Sequence, residues 1–257
     1  MNIAIFLDCF YPMKNGVITS AMQLKEGLDK KGHHVVIVSL RVPGYRERHP
    51  DIMLFPMIPM DFGSKQSFGP AIISPGRLLK FLRKHKIDII HSHTEFTLGY
   101  ASLFAAKALK VPRVVTSHTL WSDYSNYNIL LRYKVILYNF MRIYYCGIRA
   151  IIAPSVKSKR FNDILVPKIP KYIVPNGIDV FSFKGKPVPD AQKAERMSRL
   201  GILPDDDVLI FVGRIGPEKR VMKMLKAFAP LMRKRKNLKL MFVGDGPDRG
   251  NLVALAA

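Results

Sequence analysis

Cysteine is nearly absent from this 257-residue chain, which has only Cys9 and Cys146. They lie far apart, and neither has a Cys or His nearby at metal-ligand spacing. That excludes a disulfide framework and a thiolate metal cluster, and it fits a reducing cytosol. A long uncharged apolar run is also missing. The greasiest stretch, Ile129 to Ile152, is interrupted by Arg132, Lys134, Arg142 and Arg149, and charges at a bilayer centre are costly, so a buried or interfacial helix is expected there. Low-complexity segments and disordered tails are absent, and 48% hydrophobic residues supply a sizeable core. The opening residues, Met1 to Pro12, lack a basic leader and a small-residue cleavage site, and they read as a first strand.

Acidic residues are scarce. The chain has 19 Asp and Glu against 41 Lys and Arg, a formal net charge of +22. The excess is spread out, +14 over residues 1–179 and +8 over 180–257. Such a field attracts nucleic acid or an anionic membrane surface. No DNA- or RNA-binding motif is present and the aromatics sit in apolar runs, so nucleic acid is not expected as a partner. From Gly76 to Lys86, leucines and Phe81 interleave with Arg77, Lys80, Arg83, Lys84 and Lys86. This is the pattern of a basic amphipathic helix, either on a membrane surface or facing a core with its charges solvated. The run Arg233 to Lys236 suits a helix C-terminus.

Short apolar runs recur at Ile3–Leu7, Val35–Ser39, Ile87–His91, Val114–Ser117, Ala150–Ala153 and Tyr172–Val174. Helical patterns lie between them at Thr19–Lys31, Gly76–His85, Leu98–Leu109 and Ile129–Tyr145. Buried strands alternating with helices predict an α/β fold, a doubly wound parallel sheet of βαβ units. A Pro- and Gly-containing stretch, with a helical piece at Asp190–Leu200, breaks the rhythm. A second series then begins with strand Val208–Val212, helix Val221–Arg235 and strand Leu238–Val243. The expected organisation is a first Rossmann-like domain over 1–179, a linker over 180–207 and the beginning of a second Rossmann-like domain over 208–257. Two strands cannot complete such a sheet, and Asn251 to Ala257 reads as a helix cut in mid-run, so a C-terminally truncated protein is expected.

Candidate chemistry concentrates after strands. Gly213 opens a turn that places Arg214 and Lys219 ahead of a helix. A planar fork of donors, a compact point charge and a helix N-terminus together suit a diphosphate leaving group. His91 and His93 alternate on one strand without an evident third metal ligand, so His91 is expected in core-end packing and His93 at a rim. Asp205, Asp206 and Asp207 precede a strand and read as a polar turn. Gly244 and Gly246 lack the full dinucleotide fingerprint and are expected to form a tight turn.

Several motifs in order resemble the retaining, nucleotide-sugar-dependent glycosyltransferases of family 4, which have the GT-B fold. They are the glycine loop Pro12 to Val17, Asp88 to Thr94, Val115 to Thr119, Ile152 to Ser155, Val174 to Asp179, Phe211 to Arg214 with Lys219, and Val243 to Pro247. Within that family, Phe10 to Ser20 and His118 to Tyr124 look most like bacterial diacylglycerol glucosyltransferases. The resemblance implies that Arg214 and Lys219 bind the donor phosphates, that His118 contacts the donor sugar, and that Gly213, Gly244 and Gly246 form turns of the donor-binding pocket. It implies that Gly16 lets the backbone approach the phosphate, with Asn15 and Lys14 flanking it. It further implies UDP-glucose as donor, no metal requirement, a lipid acceptor, and peripheral attachment to the cytoplasmic face of a membrane through the basic residues of Gly76–Lys86. Mannose transfer to phosphatidylinositol or a polysaccharide, and a non-catalytic membrane-binding fragment, remain alternatives. The family's paired glutamates are expected beyond residue 257, which implies that this polypeptide alone has little activity.

Overall fold

A computed structural model describes residues 1–13, 15–60, 69–119, 134–178, 180, 185 and 187–256, with the backbone alone for 134–137. Lys14, the Leu120 to Tyr124 part of the motif at His118, and Ile129 to Tyr133 of the expected helix lie outside the described residues. The chain divides into two compact units, Met1–Ile178 and Asp179–Ala257.

The first unit is built on seven parallel strands: β1 (Asn2–Phe6), β2 (His34–Arg41), β3 (Ile52–Pro56), β4 (Ile89–Ser92), β5 (Arg113–Thr116), β6 (Ala150–Ala153) and β7 (Lys171–Ile173). Their order is β3-β2-β1-β4-β5-β6-β7. Helices α1 (Gly16–Lys30), α2 (Pro75–Lys84), α3 (Thr97–Leu109), α4 (Lys134–Tyr144) and α5 (Val156–Leu165) connect them. The period-2 alternation of a strand sorts β1 between the two faces. Ala4 and Phe6 pack with Leu78 and Leu82 of α2 and with Ala101 and Ala105 of α3. Ile3 and Ile5 pack with Ala21, Leu24 and Leu28 of α1. Covered on both sides, β2 reads as one apolar run, and Val35 to Val38 are fully buried.

Strand β3 is absent from the strands expected from the apolar runs. Its Met- and Pro-rich surroundings mask a five-residue edge strand paired to β2. Helix α5 is likewise missed by periodicity. Its start is signalled by Ser155, whose side chain accepts a hydrogen bond from the Ser158 N–H at 3.2 Å.

The basic helix α2 settles one sequence expectation. Leu78 and Leu82 are fully buried in the core, and Leu79 and Phe81 pack against them. At ~1.5–3 kcal/mol for each fully buried Leu, this face belongs to the fold and is not available for insertion into lipid. Arg77, Lys80, Arg83, Lys84 and Lys86 are exposed. Among the described residues, no helix is long and apolar enough to cross a membrane.

The second unit contains α6 (Asp190–Arg199), β8 (Asp207–Val212), a 3-10 turn (Pro217–Lys219), α7 (Val221–Lys234), β9 (Leu238–Val243) and α8 (Arg249–Ala256). Strands β8 and β9 pair in parallel, and Ile215, Val221, Leu225 and Leu252 form the small core. Parallel strands normally have both faces covered. Here Ile210 is 58% and Val212 74% exposed.

Candidate active site

In the first unit, strand order reverses direction between β1 and β4, which makes the carboxyl edge there a topological switch point, where open α/β sheets bind ligands. The segments leaving β1, β4 and β5 carry Asn15 and Gly16, His93 to Glu95, and His118, so three sequence-expected positions share this edge.

Asn15 is the N-cap of α1, and its side-chain oxygen accepts the Ile18 N–H at 3.0 Å. That oxygen is therefore committed to the helix. The adjoining helix end, with unpaired N–H groups and a positive dipole end, suits an anion. Gly16 is exposed, and a Cβ built on it would meet nothing within 4 Å. Among the described residues, no contact explains its lack of a side chain. Ser20, one turn further on, hydrogen-bonds Asn176 at 3.0 Å and so ties the Val174–Asp179 motif to α1.

Three imidazoles line up behind this edge. His91 bonds Thr116 Oγ1 at 2.8 Å, and its ring lies 4.2 Å from that of His93. His93 Nδ1 is 2.9 Å from His118 Nε2. The expected place of His93 at the rim is corrected, because it is 2% exposed while His118 is the half-buried outer member. Burial, where a cation would lose its hydration, lowers the pKa of His91 to about 3 and of His118 to about 4. It also lowers that of His93 well below the usual value. At neutral pH His118 is thus an uncharged hydrogen-bonding group held by His93, suited to a sugar hydroxyl and not to charge neutralisation.

Sequence reasoning missed Asp8. It follows β1 and is almost fully buried. Its two oxygens accept from Thr94 Oγ1 at 2.6 Å, Thr97 Oγ1 at 2.9 Å, Leu98 N at 2.8 Å and Gly99 N at 3.3 Å. It caps α3 across the sheet and fixes the segment carrying His93 and Glu95, and those four bonds leave it poorly placed to act as a base. Burial nonetheless raises its pKa. An acidic residue directly after a five-residue buried run was the available signal. Arg113 was also missed. It is 1% exposed and donates to Ser102 Oγ, the Tyr144 carbonyl and the Gly99 carbonyl.

The second unit brings the remaining expected residues to the carboxyl ends of β8 and β9. Gly213 N–H donates to the Val243 carbonyl at 3.0 Å, and Ile215 N–H to that of Asp245 at 2.9 Å. A Cβ on Gly244 would lie 1.8 Å from the Gly213 carbonyl oxygen, and one on Gly246 would lie 2.2 Å from that of Ile215. These two glycines are required by backbone packing alone. On the loop so braced, Arg214 and Lys219 are exposed, and neither side chain joins an ion pair among the described residues. Helix α7 starts two residues past Lys219, and Arg220 turns into it in the left-handed region. At the opposite end of β8, Asp206 accepts the Leu203 N–H at 2.8 Å and Asp207 pairs with Arg235, as a polar turn does.

The sequence matches known proteins over nearly its whole length. Residues 14–180 match the profile of Glycosyltransferase Family 4, and residues 192–257 that of Glycosyl transferases group 1. An alpha-monoglucosyldiacylglycerol synthase of Streptococcus pneumoniae is 31% identical, over 98% of this chain and 57% of that protein. A GDP-mannose-dependent alpha-mannosyltransferase of Mycobacterium tuberculosis is 26% identical, over 98% of this chain and 65% of that protein. The chain thus spans less than two thirds of either relative. The crystal structure of WaaG, a glycosyltransferase involved in lipopolysaccharide biosynthesis, superposes with a TM-score of 0.63 at 16% identity, over 99% of this chain and 67% of that one. The fold is that of the GT-B class, and the chain belongs to glycosyltransferase family 4.

Proposed function

We propose that this chain is the acceptor-side domain and the start of the donor-side domain of a retaining hexosyltransferase that moves glucose from UDP-glucose onto a membrane lipid such as diacylglycerol. The observation that carries the reading is the pair Arg214 and Lys219, two exposed cations on a glycine-braced loop at the end of a parallel strand, in a chain of this family. Retaining transfer expels a nucleoside diphosphate, and charge grows on the leaving phosphate in the transition state. Cations positioned there beforehand stabilise the transition state more than the ground state. Arg214 takes the role of a bidentate phosphate donor and Lys219 that of a point charge. The open Gly16 at the start of α1 lets backbone N–H groups approach a phosphate. Neutral His118 hydrogen-bonds the sugar. No step requires a metal in this scheme.

The lipid acceptor is supported by the name of the Streptococcus pneumoniae relative and by the basic charge. With the apolar face of α2 engaged in the core, membrane contact is assigned to the exposed basic side chains, as electrostatic docking on an anionic cytoplasmic surface. Residues 1–257 alone are proposed to turn over poorly, because Ile210 and Val212 of β8 are exposed where a donor pocket needs cover. The mannosyltransferase relative favours a second reading, with GDP-mannose as donor.

Titration of the chain with UDP-glucose and GDP-mannose, followed by a hexose-transfer assay on anionic vesicles containing diacylglycerol or phosphatidylinositol, tests these points. Preferential UDP-glucose binding without robust turnover is expected. Preference for GDP-mannose would establish the second reading, robust turnover would overturn the proposed inactivity, and binding of neither nucleotide sugar would sink the donor assignment.

A further inference from the structure

At the amino end of the first unit's sheet, away from the edge bearing His118, three potential ligands converge from three elements. His34 begins β2, Asp51 immediately precedes the edge strand β3, and His85 follows the last residue of α2. His34 Nε2 lies 3.1 Å from His85 Nδ1. Asp51 Oδ1 lies 3.7 Å from each of those nitrogens. A triangle with these edges has a circumradius of about 2.0 Å, which is the bond length of Zn²⁺ to imidazole nitrogen and carboxylate oxygen. All three residues are half-buried.

We propose that His34, Asp51 and His85 bind a divalent transition-metal ion of the zinc type, with water in the remaining coordination position. Two imidazoles and one carboxylate form a borderline donor set that suits zinc and disfavours calcium or magnesium, which prefer all-oxygen shells. The other ring nitrogen of His85 is buried and makes no hydrogen bond among the described residues, so Nδ1 is the ring's polar contact. The Asp51 N–H donates to His49 Nδ1 at 3.2 Å, which fixes the segment that presents the carboxylate. The ion would pin the edge strand β3 to β2 and α2. This role is structural, independent of the transfer chemistry, and draws on none of the residues assigned to it. The competing arrangement of the same atoms is a hydrogen bond between the two imidazoles beside Asp51.

The test is zinc titration of the purified, chelator-treated chain by calorimetry, with zinc content measured after dialysis. One equivalent should be retained, and the melting temperature should rise by ~5 °C or more at a hundredfold excess over Kd. His34→Gln and Asp51→Asn, which keep hydrogen-bonding capacity, should each weaken zinc binding at least ~10-fold, while His118→Gln should not. In the wild-type chain, zinc should move the imidazole NMR signals of His34 and His85, a readout that does not depend on any variant folding. Absence of saturable binding, signal changes confined to His91, His93 and His118, or unchanged affinity in both folded variants would overturn the site.

Discussion

The imidazole row gives a sharp prediction for acid stability. His118 has a folded pKa of about 4 because burial penalises its cation, against about 6.5 in the unfolded chain. The unfolded state therefore binds the proton more readily. Stability tied to the neutral ring is complete above the unfolded pKa and is lost as pH falls from 6.5 towards 4. Single-site linkage with those two values gives a loss of about 2 kcal/mol at pH 5 relative to pH 7.5. His118→Gln removes the titrating group and can still hydrogen-bond His93. Urea unfolding followed by far-UV circular dichroism at the two pH values measures the difference directly. The wild type should lose ~2 kcal/mol more than the variant on acidification, on top of the losses from His91 and His93 that both share. Equal losses in the two proteins would refute the burial of a neutral His118.

Other consequences follow from the glycines and the basic face. Gly16→Ala should leave the melting temperature unchanged or raise it, since alanine is favoured over glycine within a helix by roughly 0.5–1 kcal/mol, yet weaken nucleotide-sugar binding in calorimetry. Unchanged affinity would remove Gly16 from the phosphate site. Gly244→Ala should instead lower the stability of the second unit by ~1–3 kcal/mol, because its Cβ meets a carbonyl oxygen; thermal melting reads this, and an unchanged melting temperature would count against the close approach. Lys80→Ala with Lys84→Ala should reduce sedimentation with anionic vesicles by ~2 kcal/mol, about 30-fold in partitioning. The effect should vanish at high salt. A salt-independent loss, or none, would contradict electrostatic docking through α2.

Much of the fold was legible because parallel strands buried on both faces appear as unbroken apolar runs. Val35 to Val38 is such a run, and the β8 and β9 assignments match to within a residue. The edge strand β3 was not legible. Ile52 to Phe55 is an apolar run of only four residues, preceded by Pro50 and ended by Pro56, and such prolines read as turn signals. The amphipathic pattern of α2 was visible, but periodicity cannot say whether leucines face protein or lipid, and only packing against α3 and β1 decides it. Gly16 and His118 in the first unit, and Arg214 and Lys219 in the second, were singled out from local motifs. Asp8 was not, because its four partners lie 86 to 91 residues away and come together only through the β1–β4 pairing. The spacing of His34, Asp51 and His85 hides their convergence in the same way.

The most direct test of the donor assignment is UDP binding to the wild-type chain and to Arg214→Ala and Lys219→Ala, measured by calorimetry. Each side chain is assigned a charge-assisted contact to the diphosphate worth ~1.5–3 kcal/mol, so each substitution should weaken binding roughly 10- to 150-fold. Uridine, which lacks the phosphates, should bind the three proteins equally. UDP affinity indistinguishable among the three would contradict the phosphate clamp.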